Sequence, residues 1–303
     1  MLNNIIHQMI IYAVPILLAS LGGLLAYRLN IINIGLEGIM VFGALASALV
    51  IYFTGNYIMG LLTAVVVSAI IGLIFAVFSV HLNANFVITG FAINILSLAL
   101  GSFLVKSLDL TQIDTSVVRI DQLTFTIPLI DKIPLIGPIL SGHTPMVYIT
   151  VLLYVFISMF LNKTKAGTYI KVIGENQNAA LSVGIRIKTV KYITLVLSAV
   201  IVGLGGFSIT VEQVRLFTPG VIAGTGFIAI AAIYCGNGRP VKTALYAAIF
   251  GLAKSLSLNL AFGNSTLEGL LKMVPYVTII IVLTIVGMIE HKNKLVRGVT
   301  TNE

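Results

Sequence analysis

The sequence predicts an all-α, polytopic helical membrane protein of about nine spanning helices, with one short helix outside the bilayer. Three observations carry that expectation. Only 9% of the 303 residues are Asp, Glu, Lys or Arg, against about 25% in soluble domains. A soluble domain keeps charge on its wet surface, and this chain has too little to coat a globule of its size. Mean hydropathy is +1.08, and 58% of the residues are hydrophobic. Finally, the apolar residues come in long unbroken runs, not the short alternating segments of a β-barrel. Soluble enzymes, secreted scaffolds and disordered chains are thereby excluded.

Nine runs approach the ~20 residues that cross a hydrocarbon core: 6–27, 31–53, 57–80, 86–105, 144–162, 189–211, 219–235, 242–261 and 269–289. There is room for a tenth short segment. No Lys or Arg precedes Arg28, so the first run reads as a span and not as a secretory signal. The second run opens on Asn33, Gly35, Glu37 and Gly38. The seventh is short and carries Gly220, Gly224 and Gly226. Both read as broken helices lining a path. Leu21-Gly22-Gly23 before the second run is echoed by Leu204-Gly205-Gly206 before the seventh, which suits an inverted repeat or is chance. Residues 1–303 read as a single membrane domain with two long loops, 106–143 and 163–191.

Charge orients the spans. The net charge is +8, from 18 basic and 10 acidic residues, and it reads as basic cytoplasmic loops, not as a nucleic-acid surface. Loop 163–191 holds Lys163, Lys165, Lys171, Arg186, Lys188 and Lys191 against Glu175. Arg28, Arg239, Lys242, Lys292, Lys294 and Arg297 fall on the same side when nine spans are counted. Loop 106–143 lies opposite, with Asp109, Asp114, Asp121 and Asp131 outnumbering Lys106, Arg119 and Lys132. The N-terminus is then outside and the C-terminus cytoplasmic. Within that outer loop, the apolar stretch Ile127–Ile139 is broken by prolines. It either folds over the outer mouth or is a plain connector.

Several chemistries lack their signatures. There is no G-x-x-x-x-G-K-[ST] to bind ATP and no H-E-x-x-H. His7, His81, His143 and His291 lie at span ends or in loops, and the one cysteine, Cys235, excludes an intrachain disulfide. Glu37 is the one acid deep in a predicted span and Lys254 the one base. A charge in hydrocarbon reads as functional by default. Glu37 either locks helices by accepting freed backbone N–H groups near Gly35 or contacts substrate. Asn94 bonds a polar solute or a neighbouring helix. Lys254 is expected to snorkel outward along its own helix, and Gly220-x-x-x-Gly224 to allow close helix packing.

The basic loop contains Gly174-Glu175-Asn176-Gln177-Asn178-Ala179-Ala180-Leu181-Ser182-Val183-Gly184. Asn176 is a credible N-cap and Gly184 a credible stop for a helix of about two turns. With its alanines exposed, such a helix fits a groove on a cytoplasmic partner. Otherwise it rests on anionic lipid through its basic flanks.

Here a family resemblance enters. Ala179-Ala180-x-x-x-Gly184 resembles the A-A-x-x-x-G core of the coupling loop in ABC importer permeases, although Asn178 stands where that loop often has Glu. Asn33-Ile34-Gly35-Leu36-Glu37-Gly38 is similar to the N-x-G-x-E-G signature of the branched-chain amino acid, ribose and nucleoside permease superfamily. Pro219-Gly220 with Ala223–Ala232, followed by Gly236-Asn237-Gly238-Arg239-Pro240, resembles its nucleoside branch. The likeness runs from about Tyr12 to Leu260.

What the resemblance implies is a plasma-membrane permease subunit of a prokaryotic nucleoside importer. It would pair with a second, related permease chain, an ABC ATPase that uses ATP, and an extracytoplasmic substrate-binding lipoprotein. The chain itself would be no enzyme and would hold no cofactor and no metal. Gly174, Glu175, Asn176, Ala179, Ala180 and Gly184 would couple to the ATPase. A neutral nucleoside needs stacking and a few hydrogen bonds, so Phe86, Phe91, Asn94 and Phe227 are the expected path, with Asn33 and Glu37 beside them. The rival cargoes are a ribose-like sugar or a branched-chain amino acid. The rival class is an ion-coupled secondary transporter, which one intramembrane acid argues against.

Overall fold

The computed structural model describes residues 2–120, 123–125, 141–261, 268–271 and 273–296. The stretch 127–139, expected over the outer mouth, lies outside them, as does Arg297. Helices dominate: α1 (Leu2–Arg28), α2 (Leu36–Thr54), α3 (Tyr57–Ala76), α4 (Phe86–Ser107), α5 (Pro145–Lys163), α6 (Lys165–Glu175), α7 (Gln177–Ser182), α8 (Ile187–Phe207), α9 (Thr225–Cys235), α10 (Pro240–Ala261), α11 (Glu268–Leu271) and α12 (Val274–Val296). Wide π-helical turns extend α3 over Val77–His81 and α8 over Ser208–Gln213.

Among the described residues, seven helices are long and apolar enough to cross a bilayer: Ile6–Arg28, Leu36–Thr54, Tyr57–His81, Phe86–Ser107, Pro145–Lys163, Ile187–Gln213 and Pro240–Leu260. Where two further spans were expected, the structure has shorter apolar helices, Thr225–Cys235 and Val274–Ile289. The all-α expectation needs one small correction. Ile113–Asp114 (β1) and Leu216–Phe217 (β2) form an antiparallel pair, Ile113↔Phe217 and Asp114↔Leu216. It ties the loop after α4 to the segment after α8.

α1, α2 and α8 form the centre. Of the apolar window of α8, 78% is buried in the protein, against 22% for α5. The outer helices therefore leave much of their apolar surface outside the chain, where lipid is as good a solvent for Leu as the core is.

Without water in the bilayer, each backbone group needs a protein partner. α3 and α4 start on Asn56 and Asn85, whose side chains accept from Ile58 and Met59, and from Val87 and Ile88. Pro15, inside α1, has no N–H to give the Ile11 carbonyl four residues back. The side-chain amide of Gln213 donates to that carbonyl instead, at 2.7 Å. The wide turn at the end of α8 brings Gln213 there, and π-helical turns commonly re-aim single side chains in this way.

Candidate functional site

Two interrupted helices meet inside the bundle. The chain leaves α1 at Arg28 and runs non-helically, with Leu29, Ile31 and Asn33 buried, before α2 begins. The seventh expected span becomes a turn ahead of α9. Eleven residues at 1.5 Å rise make α9 about 16 Å long, about half a hydrocarbon core. Each helix start leaves free N–H groups. In hydrocarbon, leaving one unpaired costs several kcal/mol.

The candidate path residues supply the partners. Asn33 Oδ1 accepts the Gly35 N–H at 2.9 Å. Asn94 Oδ1 accepts the Gly38 N–H at 2.7 Å, and Asn94 Nδ2 donates to the Ile34 carbonyl at 3.1 Å. Glu37 reaches across to α9, where its two carboxylate oxygens accept the Gly224 N–H at 2.8 Å and the Gly226 N–H at 2.7 Å. A negative group at a helix start is also favoured by the helix dipole. So Glu37 does lock helices, but through the glycines of α9; the N–H of Gly35 is taken by Asn33.

Lys254 overturns its expectation. It does not snorkel outward: its ammonium donates to Thr225 Oγ1 at 2.8 Å and sits close enough to Glu37 for the charges to attract. The Tyr276 hydroxyl donates to the Ala223 carbonyl at 2.9 Å. The Gly220-x-x-x-Gly224 pattern is likewise corrected. Gly220 has no neighbour where a Cβ would stand, and Gly224 has φ +76°. The pattern shapes a turn, with Gly224 taking a conformation that strains any side chain. At Gly224 the Tyr276 side chain of α12 packs where a Cβ would stand, so the close approach is to one glycine of the pair.

The aromatic candidates separate from this cluster. Phe86 is half-buried against the core. Phe91 and Phe227 lie on the surface of the chain, 48% and 45% exposed.

A second buried acid escaped the sequence reading. The sixth run was ended at 211, one residue short. The wide turn of α8 buries Glu212, which accepts from Tyr57 Oη at 2.7 Å, Thr144 Oγ1 at 2.6 Å and the Met146 N–H at 3.3 Å. It caps the start of α5 as Glu37 caps α9. The available signal was a polar pair, Glu212-Gln213, closing a long apolar run. Among the described residues no three His, Cys, Asp or Glu side chains are grouped to hold a metal.

In the basic loop there are two helices where one was expected. α6 buries Gly167, Ile170 and Ile173, and Gly174 lies against the Arg28 carbonyl, where no side chain fits. Asn176 Oδ1 caps α7 by accepting from Asn178 at 3.0 Å and Ala179 at 3.1 Å. Gly184 follows with φ +77°. Ala180 was expected to be exposed, yet it is fully buried in the main core cluster. The accessible surface includes Gln177, Asn178, Ala179, Leu181, Ser182 and Val183, with Leu181 and Val183 60% and 72% exposed. Glu175 is exposed and pairs with Lys171 at 3.9 Å.

Helices that break within a membrane, with their freed backbone matched by buried side chains, are the architecture of a transporter's spanning subunit. The chain belongs to the family described as branched-chain amino acid transport system / permease component, whose model matches residues 5–283. It is 33% identical to the guanosine ABC transporter permease protein NupQ of Bacillus subtilis, over 93% of this chain and 92% of that one. It is 32% identical to the nucleoside ABC transporter permease protein NupC of Lactococcus lactis, over 94% and 92%. A putative glucose ABC transporter permease of Haloferax volcanii is 28% identical, over 86% and 80%. No solved structure matches. The protein is thus a multi-pass membrane permease and not an enzyme.

Proposed function

We propose that this chain is the membrane-spanning subunit of an ATP-driven importer of nucleosides. The observation that carries the reading is the near full-length likeness to permeases named for guanosine and nucleosides. The intramembrane cluster agrees with it. Glu37 has both carboxylate oxygens occupied by backbone N–H groups, and Lys254 is engaged by Thr225 beside it, so neither charge is a free counter-ion to a zwitterionic amino acid. The same occupancy speaks against ion-coupled transport by this chain alone, since Glu212 is engaged in the same way.

Phe91 and Phe227 supply exposed aromatic faces for a base to stack on. Because they are open to the outside of the chain, a second and related permease chain closes the path around them. An extracytoplasmic binding lipoprotein delivers cargo at the end that carries β1 and β2. An ABC ATPase engages residues 174–184 at the other end, and its cycle rocks the helices between outward and inward states. In this reading the chain crosses a prokaryotic plasma membrane nine times, α9 and α12 included, with its basic end in the cytoplasm.

Uptake of labelled guanosine by cells expressing the complete transporter tests the cargo. Unlabelled purine nucleosides compete, and leucine, glucose and ribose do not. Competition by glucose or ribose with nucleosides inert would assign the chain to the sugar permeases instead, as the likeness to the Haloferax protein allows.

A further inference from the structure

At the basic end, the ends of α1 and α5, the side of α6 and the first turn of α10 enclose a cavity of about 640 Å³. Four cations line it, Arg28, Lys171, Arg239 and Lys242, and no acid is among its lining residues, although Lys171 also pairs with Glu175 beside it at 3.9 Å. The first turn of α10 also carries no acid, so the positive end of its dipole is not offset there. Arg28 Nε is buried and, among the described residues, has no hydrogen-bond partner. A buried donor left unpaired is costly, and together these features describe a site for an anionic oxygen.

The same three spans form a second feature. A crease of about 830 Å³ runs between α1, α5 and α10, lined mainly by apolar side chains, among them Leu17, Val155, Phe156, Met159 and Ala248. On α5 it reaches Met159, and the basic cavity begins at Leu161. On α10 the step from Ala248 to Lys242 is under two turns. α5 also leaves most of its apolar length unburied by the rest of the chain. A cationic pocket at the end of a span, two residues along α5 from an apolar crease though three turns from it on α1, matches one chemistry: a charged phosphate on a hydrocarbon chain.

We propose that this crease holds an anionic phospholipid. Its phosphate sits among Arg28, Lys171, Arg239 and Lys242, and an acyl chain lies along α5 and α10. Basic pockets between spans on the cytoplasmic side take lipid headgroups in this way. The transport reading enters only in assigning the lipid to the cytoplasmic leaflet. Lipid retention is read independently of cargo, so either proposal can fail alone.

The test is native mass spectrometry and thermal unfolding of the full-length protein, purified with its accompanying subunits. It is placed in phosphatidylcholine nanodiscs with or without phosphatidylglycerol. Phosphatidylglycerol is retained through purification and raises Tm. Arg239→Gln with Lys242→Gln, both on exposed side chains, lowers retention at least roughly tenfold. Ala248→Phe fills the crease and lowers retention with the cations intact. Lys188→Gln, an exposed cation that does not line the cavity, leaves it unchanged. Equal retention of the two lipids would overturn the proposal, and so would equal loss in Lys188→Gln. If glycerol phosphate alone raises Tm as much as the lipid and Ala248→Phe has no effect, the site takes soluble phosphates and the lipid assignment falls.

Discussion

At the scale of single residues, three buried polar side chains of this protein serve helix starts. Glu37 serves α9, Asn94 serves α2 and Glu212 serves α5. Glu37→Gln keeps one acceptor oxygen but turns an NH₂ group toward a backbone N–H. Its expected cost is about 1–3 kcal/mol, the penalty of an unpaired buried donor. Lys254→Met should cost less, because Glu37 keeps both N–H partners. The two side chains are close, so the double variant should depart from the sum of the singles by more than about 0.5 kcal/mol. Chemical unfolding of the purified protein reads all three. Strict additivity would mean that Lys254 does not act through Glu37.

At the scale of elements, α6 and α7 divide their labour. α6 anchors through Ile170, Ile173 and Gly174, whereas α7 and the residue after it present Leu181 and Val183. Ala180→Arg forces a long charged side chain into the main core, so its first effect is lower abundance of the chain. Leu181→Arg or Val183→Arg alters only the exposed face. Abundance should hold, measured by immunoblot of membranes, while the ATPase no longer co-purifies and uptake is lost. Normal uptake by a well-expressed Val183→Arg together with Leu181→Arg would remove this face from coupling. Asn176→Ala is a milder probe: losing the cap should cost about 1 kcal/mol of helix stability.

At the scale of the whole molecule, alternation of the helices puts Lys188 at the basic end and Val117 in the loop that carries β1. Both are exposed, and Cys235, the sole cysteine, is buried. In a Cys235→Ala background, Val117→Cys should react with an impermeant maleimide on intact cells. Lys188→Cys should react only after permeabilisation. The reverse pattern would invert the assigned topology, and labelling of both from outside would break the nine-crossing path.

The sequence alone determined the class, because class depends on quantities that add along the chain. Apolar run length placed α1 to α5, α8 and α10 within a few residues, since a bilayer has one thickness and a helix one rise. Local chemistry fixed the cap at Asn176 and the stop at Gly184, whose partners lie two to four residues away. The motif around Asn33 and Glu37 marked the broken helices, but not what each side chain would bond. That needed tertiary structure, because the partners of Glu37 stand 187 and 189 residues further on and no periodicity spans such a gap. The inward turn of Lys254, the burial of Ala180 and the capping by Glu212 were hidden for the same reason. Each depends on which face of one helix meets another. In a chain whose helices are apolar almost all round, hydropathy gives no face to choose.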